Sequence, residues 1–246
     1  MNFSSLLFIF FFLPIFYLLF ILLPKSKRYI VLIIFNLIFY LYSGIFNFCL
    51  LIFTILFNYF YIKLLGKKYQ RSYNVLVIIN ILFLSFFKYT NYFIFPLGIS
   101  FYTFNNISYI LDRKHNKIKN ESFLDYLCYI TLFCNVLMGP ITRFNEVTKN
   151  IRNLDISFEI GAKGFYRFLT GLFQKVLLAN NLSTLYNTFN SITNKTFLSC
   201  LFVLIIYALY LYFDFLGYTN MALGLGKMCG ISLEENFDNP YLANSI

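Results

Sequence analysis

The sequence predicts an all-α, polytopic transmembrane protein, with about six membrane-crossing helices plus a re-entrant segment. Three observations carry this expectation. Of 246 residues, 59% are hydrophobic and 12% charged, with a mean hydropathy of +0.69. A soluble domain carries roughly 25% charged residues, so this chain cannot coat a water-facing surface of its size. Uncharged runs recur at or beyond the ~20 residues that cross a ~30 Å hydrocarbon core. The 20 Lys+Arg and 10 Asp+Glu cluster between those runs, where basic residues set orientation in a bilayer. The net charge of +10 is therefore read as membrane topology, with no nucleic acid as partner. A disordered chain is excluded by the apolar content. A disulfide-built secreted domain is excluded by 5 Cys, sparse and odd in number.

The first apolar stretch runs from Leu6 to Leu23 and is followed by Lys25, Lys27 and Arg28. No basic residue precedes it and no small-residue cleavage site ends it, unlike a secretory signal. It reads as a retained helix with the N-terminus outside. Tyr29 to Ile62 is 34 residues without a charge, about 51 Å as one helix and well over one crossing. Ser43-Gly44 is the expected turn, since both flanks are basic and belong on the cytoplasmic side. Residues 72–111 hold one charge, Lys88, and two more crossings broken at Phe95-Pro96-Leu97-Gly98. The loop from Arg113 to Asp125 is basic and cytoplasmic on the same rule.

Tyr126 to Thr142 is a 17-residue uncharged run with basic residues on both sides. It fits a re-entrant or tilted segment better than a crossing, and such backbone must be buried in protein. Residues 143–160 read as interfacial. From Gly161 to Ala179, Lys163, Arg167 and Lys175 recur at multiples of four along one helical stripe. Phe165, Phe168, Leu169, Leu172, Phe173 and Val176 lie opposite, a pattern suited to the membrane surface. Thr196 to Phe213 is the last clear span. A Gly-rich and then acidic segment follows, to Ile246.

Little here resembles catalytic chemistry. His115, the only histidine, lies in a basic polar loop, where a general base would lack a partner and a shielded site. Cys49, Cys128, Cys134, Cys200 and Cys229 have no metal-ligand spacing and read as small core residues, so no metal is expected. Gly224-Leu225-Gly226-Lys227-Met228 fails as a phosphate loop, because Met221 and Met228 occupy the positions of its first Gly and its Ser/Thr. The Gly226/Gly230 spacing reads as a place for close helix contact. Asp214 follows eighteen uncharged residues. It either has a partner or polar cavity at membrane depth, or marks a helix end at the interface. Asp112 and Lys88 read as interfacial and snorkelling groups. Glu121 with Asp125, and Asp155 with Glu159, read as solvated carboxylates.

These residues carry a family resemblance. Pro96-Leu97-Gly98-Ile99-Ser100-Phe101-Tyr102-Thr103-Phe104, with Ser108-Tyr109 and Asp112, resembles a signature of the membrane-bound O-acyltransferases, most closely the alginate O-acetyltransferase branch. Gly139-Pro140-Ile141-x-Arg143-Phe144 and Gly171-Leu172-Phe173-x-Lys175-Val176 resemble its next motifs. Tyr212-Phe213-Asp214-Phe215-x-Gly217-Tyr218, Met221-Ala222-x-Gly224-Leu225-Gly226 and Glu235-Asn236-Phe237-x-x-Pro240-Tyr241-Leu242, with Ser245-Ile246, follow in family order. The branch that transfers D-alanine to teichoic acids is the nearest rival. The resemblance implies helices ringed around a central funnel. It also implies transfer of an acetyl or similar acyl group onto a cell-surface polysaccharide such as alginate, or to an extracytoplasmic acyl-accepting protein. The implied donor is acetyl-CoA or a related acyl thioester, with no bound cofactor.

The family's chemistry depends on histidines in a Trp- and Arg-rich segment after the Asn-Pro-Tyr-Leu motif. His115 aligns with neither of them, so no catalytic residue carries over. Residues 1–246 are expected to be the N-terminal portion of such a domain, with the catalytic portion absent and the chain inactive alone. A second chain supplying the other half, or a non-catalytic membrane scaffold or transport component, are the alternatives. Tyr210, Leu216, Asn220 and Asn105 stand where the family usually has Gln, Ser, Asp and Gln. The tunnel-lining candidates are Asp214, Asn236 and Asn105.

Overall fold

In hydrocarbon every backbone N–H and C=O must be paired within its own segment, so uncharged runs fold as helices. A computed structural model describes residues 2–66, 70–90, 96–118, 122–135, 139, 142–152, 154, 156–192 and 196–235. Every regular element among them is helical. Among the described residues three stretches, Ile45–Leu64, Gln70–Tyr89 and Phe197–Met228, are long and apolar enough to cross a membrane alone.

The chain opens with a π-helical turn, Phe8–Phe12, that runs into α1 (Leu13–Leu22). Pro14 has no N–H to return to the carbonyl four residues earlier, and the helix widens just before it. Leu23 and Pro24 are extended and reverse the chain into α2 (Lys25–Leu41). Lys25, Lys27 and Arg28 thus stand in the first turn of α2. That is the unfavourable end of its dipole. The expected break at Ser43-Gly44 is present. Gly44 has φ 112°, a conformation costly for any residue with a Cβ, and α3 (Ile45–Tyr61) begins after it. A π turn, Ile62–Gly66, extends α3.

Helix α4 (Gln70–Tyr89) follows, and α5 (Ile99–Lys114) starts after Pro96-Leu97-Gly98, the second expected break. Asn58 and Asn80 clasp α3 to α4 through reciprocal amide bonds of 2.7 and 3.2 Å. Helix α5 ends in a Schellman motif. Asn116, at φ 56°, donates to the Arg113 carbonyl at 3.1 Å, and Lys117 donates to the Asp112 carbonyl at 2.9 Å.

Helix α6 (Phe123–Thr131) has nine residues, about 14 Å and half a hydrocarbon core. It ends in a buried turn through Phe133 and Cys134. Asn36 of α2 holds that turn by accepting from the Phe133 amide at 3.0 Å. Phe12, Phe16, Phe39 and Phe133 pack ring against ring around it. Helix α7 (Phe144–Arg152) is amphipathic and buries Phe144, Val147 and Ile151.

Helix α8 (Phe158–Phe173) passes through a π segment, Gln174–Ala179, into α9 (Asn180–Asn190). Helix α10 (Phe197–Met228) is 32 residues long and does not stop at Phe213 as the sequence suggested. Packing explains the extension. Gly164 and Gly171 of α8 face Gly224 and Gly217 of α10, backbone against backbone. Such contacts replace the propensity that glycine withholds.

The Gly226/Gly230 spacing has a different role from the one expected. Gly230, at φ 75°, donates to the Lys227 carbonyl, and Ile231 donates to Gly226 at 2.8 Å, closing a Schellman cap on α10. Gly226 faces Leu233 and Ile231 rather than another helix.

Candidate functional site

Two polar clusters form inside this apolar scaffold. The first lies along the α8–α10 seam. Lys163, Arg167 and Lys175 share a stripe, but it does not face the membrane surface as a set. Lys175, in the π segment, forms an ion pair with Asp214 of α10, each side chain about three-quarters buried. Arg167 donates to Asn220 Oδ1 through Nε at 3.2 Å and Nη2 at 3.1 Å, and pairs with both carboxylate oxygens of Glu235. Asn220 Nδ2 donates to Gln174 Oε1 at 2.7 Å. Lys163 alone stays exposed, 2.5 Å from Glu159.

Of the two sequence readings of Asp214, the paired one holds, because α10 runs on to Met228 and gives Asp214 no helix end to mark. Hydrogen bonds from Arg167 hold the Glu235 carboxyl below its ordinary range, more than offsetting burial. Asn236, the next residue, lies outside the described residues.

The second cluster is built on α5. Tyr102, Asn105, Asn106 and Tyr109 recur at three- to four-residue spacing, so they share one face, and all four are buried. Tyr126 of α6 donates to Asn106 Oδ1 at 2.5 Å. Tyr129 donates to the Thr142 carbonyl at 2.7 Å and more weakly to the Asn105 carbonyl at 3.5 Å. Asn135 Nδ2 donates to Thr142 Oγ1 at 3.1 Å. Among the described residues Tyr102 Oη, Asn105 Oδ1, Asn106 Nδ2 and Asn135 Oδ1 are buried without a hydrogen-bond partner. Four such atoms in one place are rare, because each buried unpaired polar atom costs ~1–3 kcal/mol.

Asn105 therefore sits in a buried polar cluster, separate from the ion pair of Asp214. The sequence reading missed Tyr102, Asn106, Tyr126, Tyr129, Asn135 and Thr142. The available signal was the heptad-like recurrence of amide and phenol side chains within an uncharged run.

Asp125 is the other correction, since it is not a solvated carboxylate. It caps α6 in a capping box with Ser122, accepts from Tyr29 at 3.2 Å, and pairs with Arg152 at 2.5 Å. Burial pushes its carboxyl up, but hydrogen bonds from Arg152 and Ser122 and the Arg152 charge together hold it below the ordinary value. Glu121 and Asp155 lie outside the described residues, and Glu159 is exposed beside Lys163. His115 is exposed at the end of α5, with Nδ1 2.8 Å from the Leu111 carbonyl. Cys128, Cys134 and Cys229 are buried thiols, whereas Cys49 and Cys200 are exposed on their helices. Among the described residues no three His, Cys, Asp or Glu converge as a metal site.

The arrangement defines a class: a membrane protein, all-helical among its described residues, whose packed helices bury neutral polar atoms in one place and an interhelical ion pair in another. No family model matches the chain. Curated proteins do. The Pseudomonas aeruginosa protein named "Probable alginate O-acetylase AlgI" is 30% identical over 100% of this chain and 53% of its own length. The Helicobacter pylori peptidoglycan O-acetyltransferase is 31% identical over 99% of this chain and 57% of its own length. The Bacillus subtilis teichoic acid D-alanyltransferase is 29% identical over 61% of this chain and 39% of its own length. The chain spans about half the length of the alginate O-acetylases it matches. It belongs to the membrane-bound O-acyltransferase-like family.

Proposed function

We propose that the chain is the N-terminal part of a membrane O-acyltransferase. In this reading the enzyme moves an acetyl or similar acyl group from acetyl-CoA, or a related acyl thioester, across the membrane. The group reaches a cell-surface polysaccharide directly or through an extracytoplasmic acyl-accepting protein. About six helices cross the bilayer, the N-terminus lies outside, and α6 with its following turn dips in and returns. The observation that carries the reading is the cluster of unpaired polar atoms on Tyr102, Asn105, Asn106 and Asn135. Non-helical backbone and free polar groups at membrane depth are tolerated where they line a wet or occupied cavity. A passage for an acyl thioester and a sugar hydroxyl needs such neutral hydrogen-bonding walls.

These side chains bind and orient; they do not transfer protons. The one histidine stands on an exposed helix end, outside this buried cluster, and is not the group that would move a proton there. Asp214 and Lys175 support the wall by fixing α10 against the α8 extension.

Deleting the gene in its host and measuring ester-linked acetate on cell-surface polysaccharide tests the proposal. Loss of acetate is expected, restored by the wild-type gene and restored less than one-tenth as well by Tyr102→Phe or Asn105→Leu at equal membrane abundance. Acetate unchanged by deletion, with a transport or assembly defect instead, overturns the proposal in favour of a scaffold. The likeness to a teichoic acid D-alanyltransferase supports a second reading. Loss of ester-linked D-alanine with acetate intact selects it.

A further inference from the structure

One opening has none of the polar-cluster residues in its lining. It is a groove of about 760 Å³ between α1 and α8, within the ~300–1,000 Å³ of small-molecule sites. Its walls are apolar, with Leu13, Tyr17 and Ile21 on one side and Gly161, Phe165 and Leu169 on the other. Gly161 gives the groove its depth, since a Cβ there would lie 2.5 Å from the Tyr17 hydroxyl.

One end is different. Arg28 lines it together with Ser157, the N-cap of α8. The Arg28 guanidinium donates Nη1 to the Leu154 carbonyl at 3.2 Å and lies 5.9 Å from the Phe20 ring centroid. Its Nε is buried without a partner, and among the described residues no carboxylate pairs with it. The nearest acidic residue along α8, Glu159, is occupied by Lys163 at 2.5 Å. Among the described residues this cation has no carboxylate partner where it closes an otherwise apolar trough, and the positive end of the α8 dipole adds to it.

We propose that this groove binds one anionic phospholipid, with an acyl chain lying between α1 and α8 and the phosphate held at Arg28. Three features fit. Lys25, Lys27 and Arg28 mark a bilayer face, which puts the cationic end at headgroup level. Lining residues run from Ile9 of the π turn to Ile21 of α1, about 18 Å of helix and close to the ~15 Å depth of one leaflet. The charge is complementary as well, because a zwitterionic headgroup carries its own cation and gains little from Arg28, whereas a net anion gains fully.

The chain contains no Trp, which makes the test specific. Phe165→Trp places a single fluorophore on the groove wall. The whole chain is reconstituted in phosphatidylcholine vesicles, and brominated phosphatidylglycerol or brominated phosphatidylcholine is titrated in. A quenching preference of about five-fold for phosphatidylglycerol is expected, equivalent to ~1 kcal/mol for one basic residue at the headgroup surface. Arg28→Gln should abolish the preference and Arg28→Lys should retain most of it. A reporter on α10, Leu204→Trp, should show none. If Phe165→Trp does not fold, Phe10→Trp on the opposite rim serves as reporter. Equal quenching by both lipids, or a preference that survives Arg28→Gln, overturns the proposal.

Discussion

Replacing Gly224 with Ala should separate α8 from α10 and dismantle the polar seam between them. A Cβ at Gly224 would stand 2.5 Å from Phe168 N, 2.7 Å from Gly164 O and 2.8 Å from Phe168 Cα, whereas ordinary contact begins at 3.4 Å. All three obstacles are backbone atoms of α8, so none can rotate away, and the helices must part by about 0.9 Å to relieve the worst contact. Overpacking of this kind costs ~1–3 kcal/mol, and a 0.5–1 Å gap forfeits a quarter to a half of each dispersion well along the seam. We expect a total of about 3 kcal/mol. The same separation stretches Arg167 Nη2···Asn220 Oδ1 from 3.1 Å to about 4 Å, beyond hydrogen-bond range. Stability is to be read from helix content against SDS mole fraction in mixed micelles. Gly226→Ala is the internal control, because its nearest obstacle is Leu233 Cδ1 at 2.8 Å, the movable end of a side chain, and it should lose less than ~1 kcal/mol. Gly224→Ala as stable as wild type would refute backbone contact as the basis of the α8–α10 pairing.

Three more outcomes follow from the polar contacts. Asn58→Leu should cost ~1–2 kcal/mol by stranding Asn80, and adding Asn80→Leu should recover most of it in the same micelle titration, because removing both partners leaves nothing unpaired. Lys175→Met should destabilise by ~1–2 kcal/mol, discounted for partial exposure, and Lys175→Met/Asp214→Asn should reverse more than half of that loss. The Asp125 carboxyl is held below its ordinary value in the folded chain. Its contribution to stability is therefore full above the unfolded pKa of about 3.9 and lost as pH falls through the lower folded value. In Arg152→Met the hydrogen bond that offsets burial most and the Arg152 charge are gone, while the Ser122 hydrogen bonds remain, so the lowering shrinks. Melting temperatures from pH 6 to 3 should then fall in the wild type and fall less in the variant.

The membrane class and the helix breaks were legible because they depend on the coarse signals of charge and backbone. Gly44 and the Pro96-Leu97-Gly98 turn lie where uncharged runs are too long for one crossing, and bilayer thickness forces a reversal there. The length of α10 was not legible. Glycines at 217, 224 and 226 lower local helix propensity, and only the α8 backbone lying against two of them repays it. One-dimensional reading treats each glycine as a weakness or as a spacing motif. It therefore selected Gly226 and Gly230, which cap the helix, and passed over Gly217 and Gly224, which join it to its neighbour.

The site was legible in the same uneven way. A lone carboxylate in an uncharged run announces itself, but for Asp214 the run left two readings open, a partner or polar cavity and a helix end at the interface. Its partner sits 39 residues earlier and was read as part of a surface stripe, because helical periodicity gives a side chain's face but not what that face meets. Neutral polar residues announce less. Asn105 was marked through resemblance alone, yet it matters together with Tyr102, Asn106 and Asn135, which no charge rule selects. These uncharged atoms, buried without a partner among the described residues, are the stronger argument for a passage. An ion pair such as Lys175–Asp214 satisfies itself and can be purely structural, whereas an unpaired amide oxygen is stable in hydrocarbon only in company with water or a ligand. Tyr102→Phe separates the two roles. Deleting an unpaired hydroxyl should leave stability within ~0.5 kcal/mol or raise it. If acetyl transfer nonetheless falls, the hydroxyl serves what passes through, and the fold does not need it.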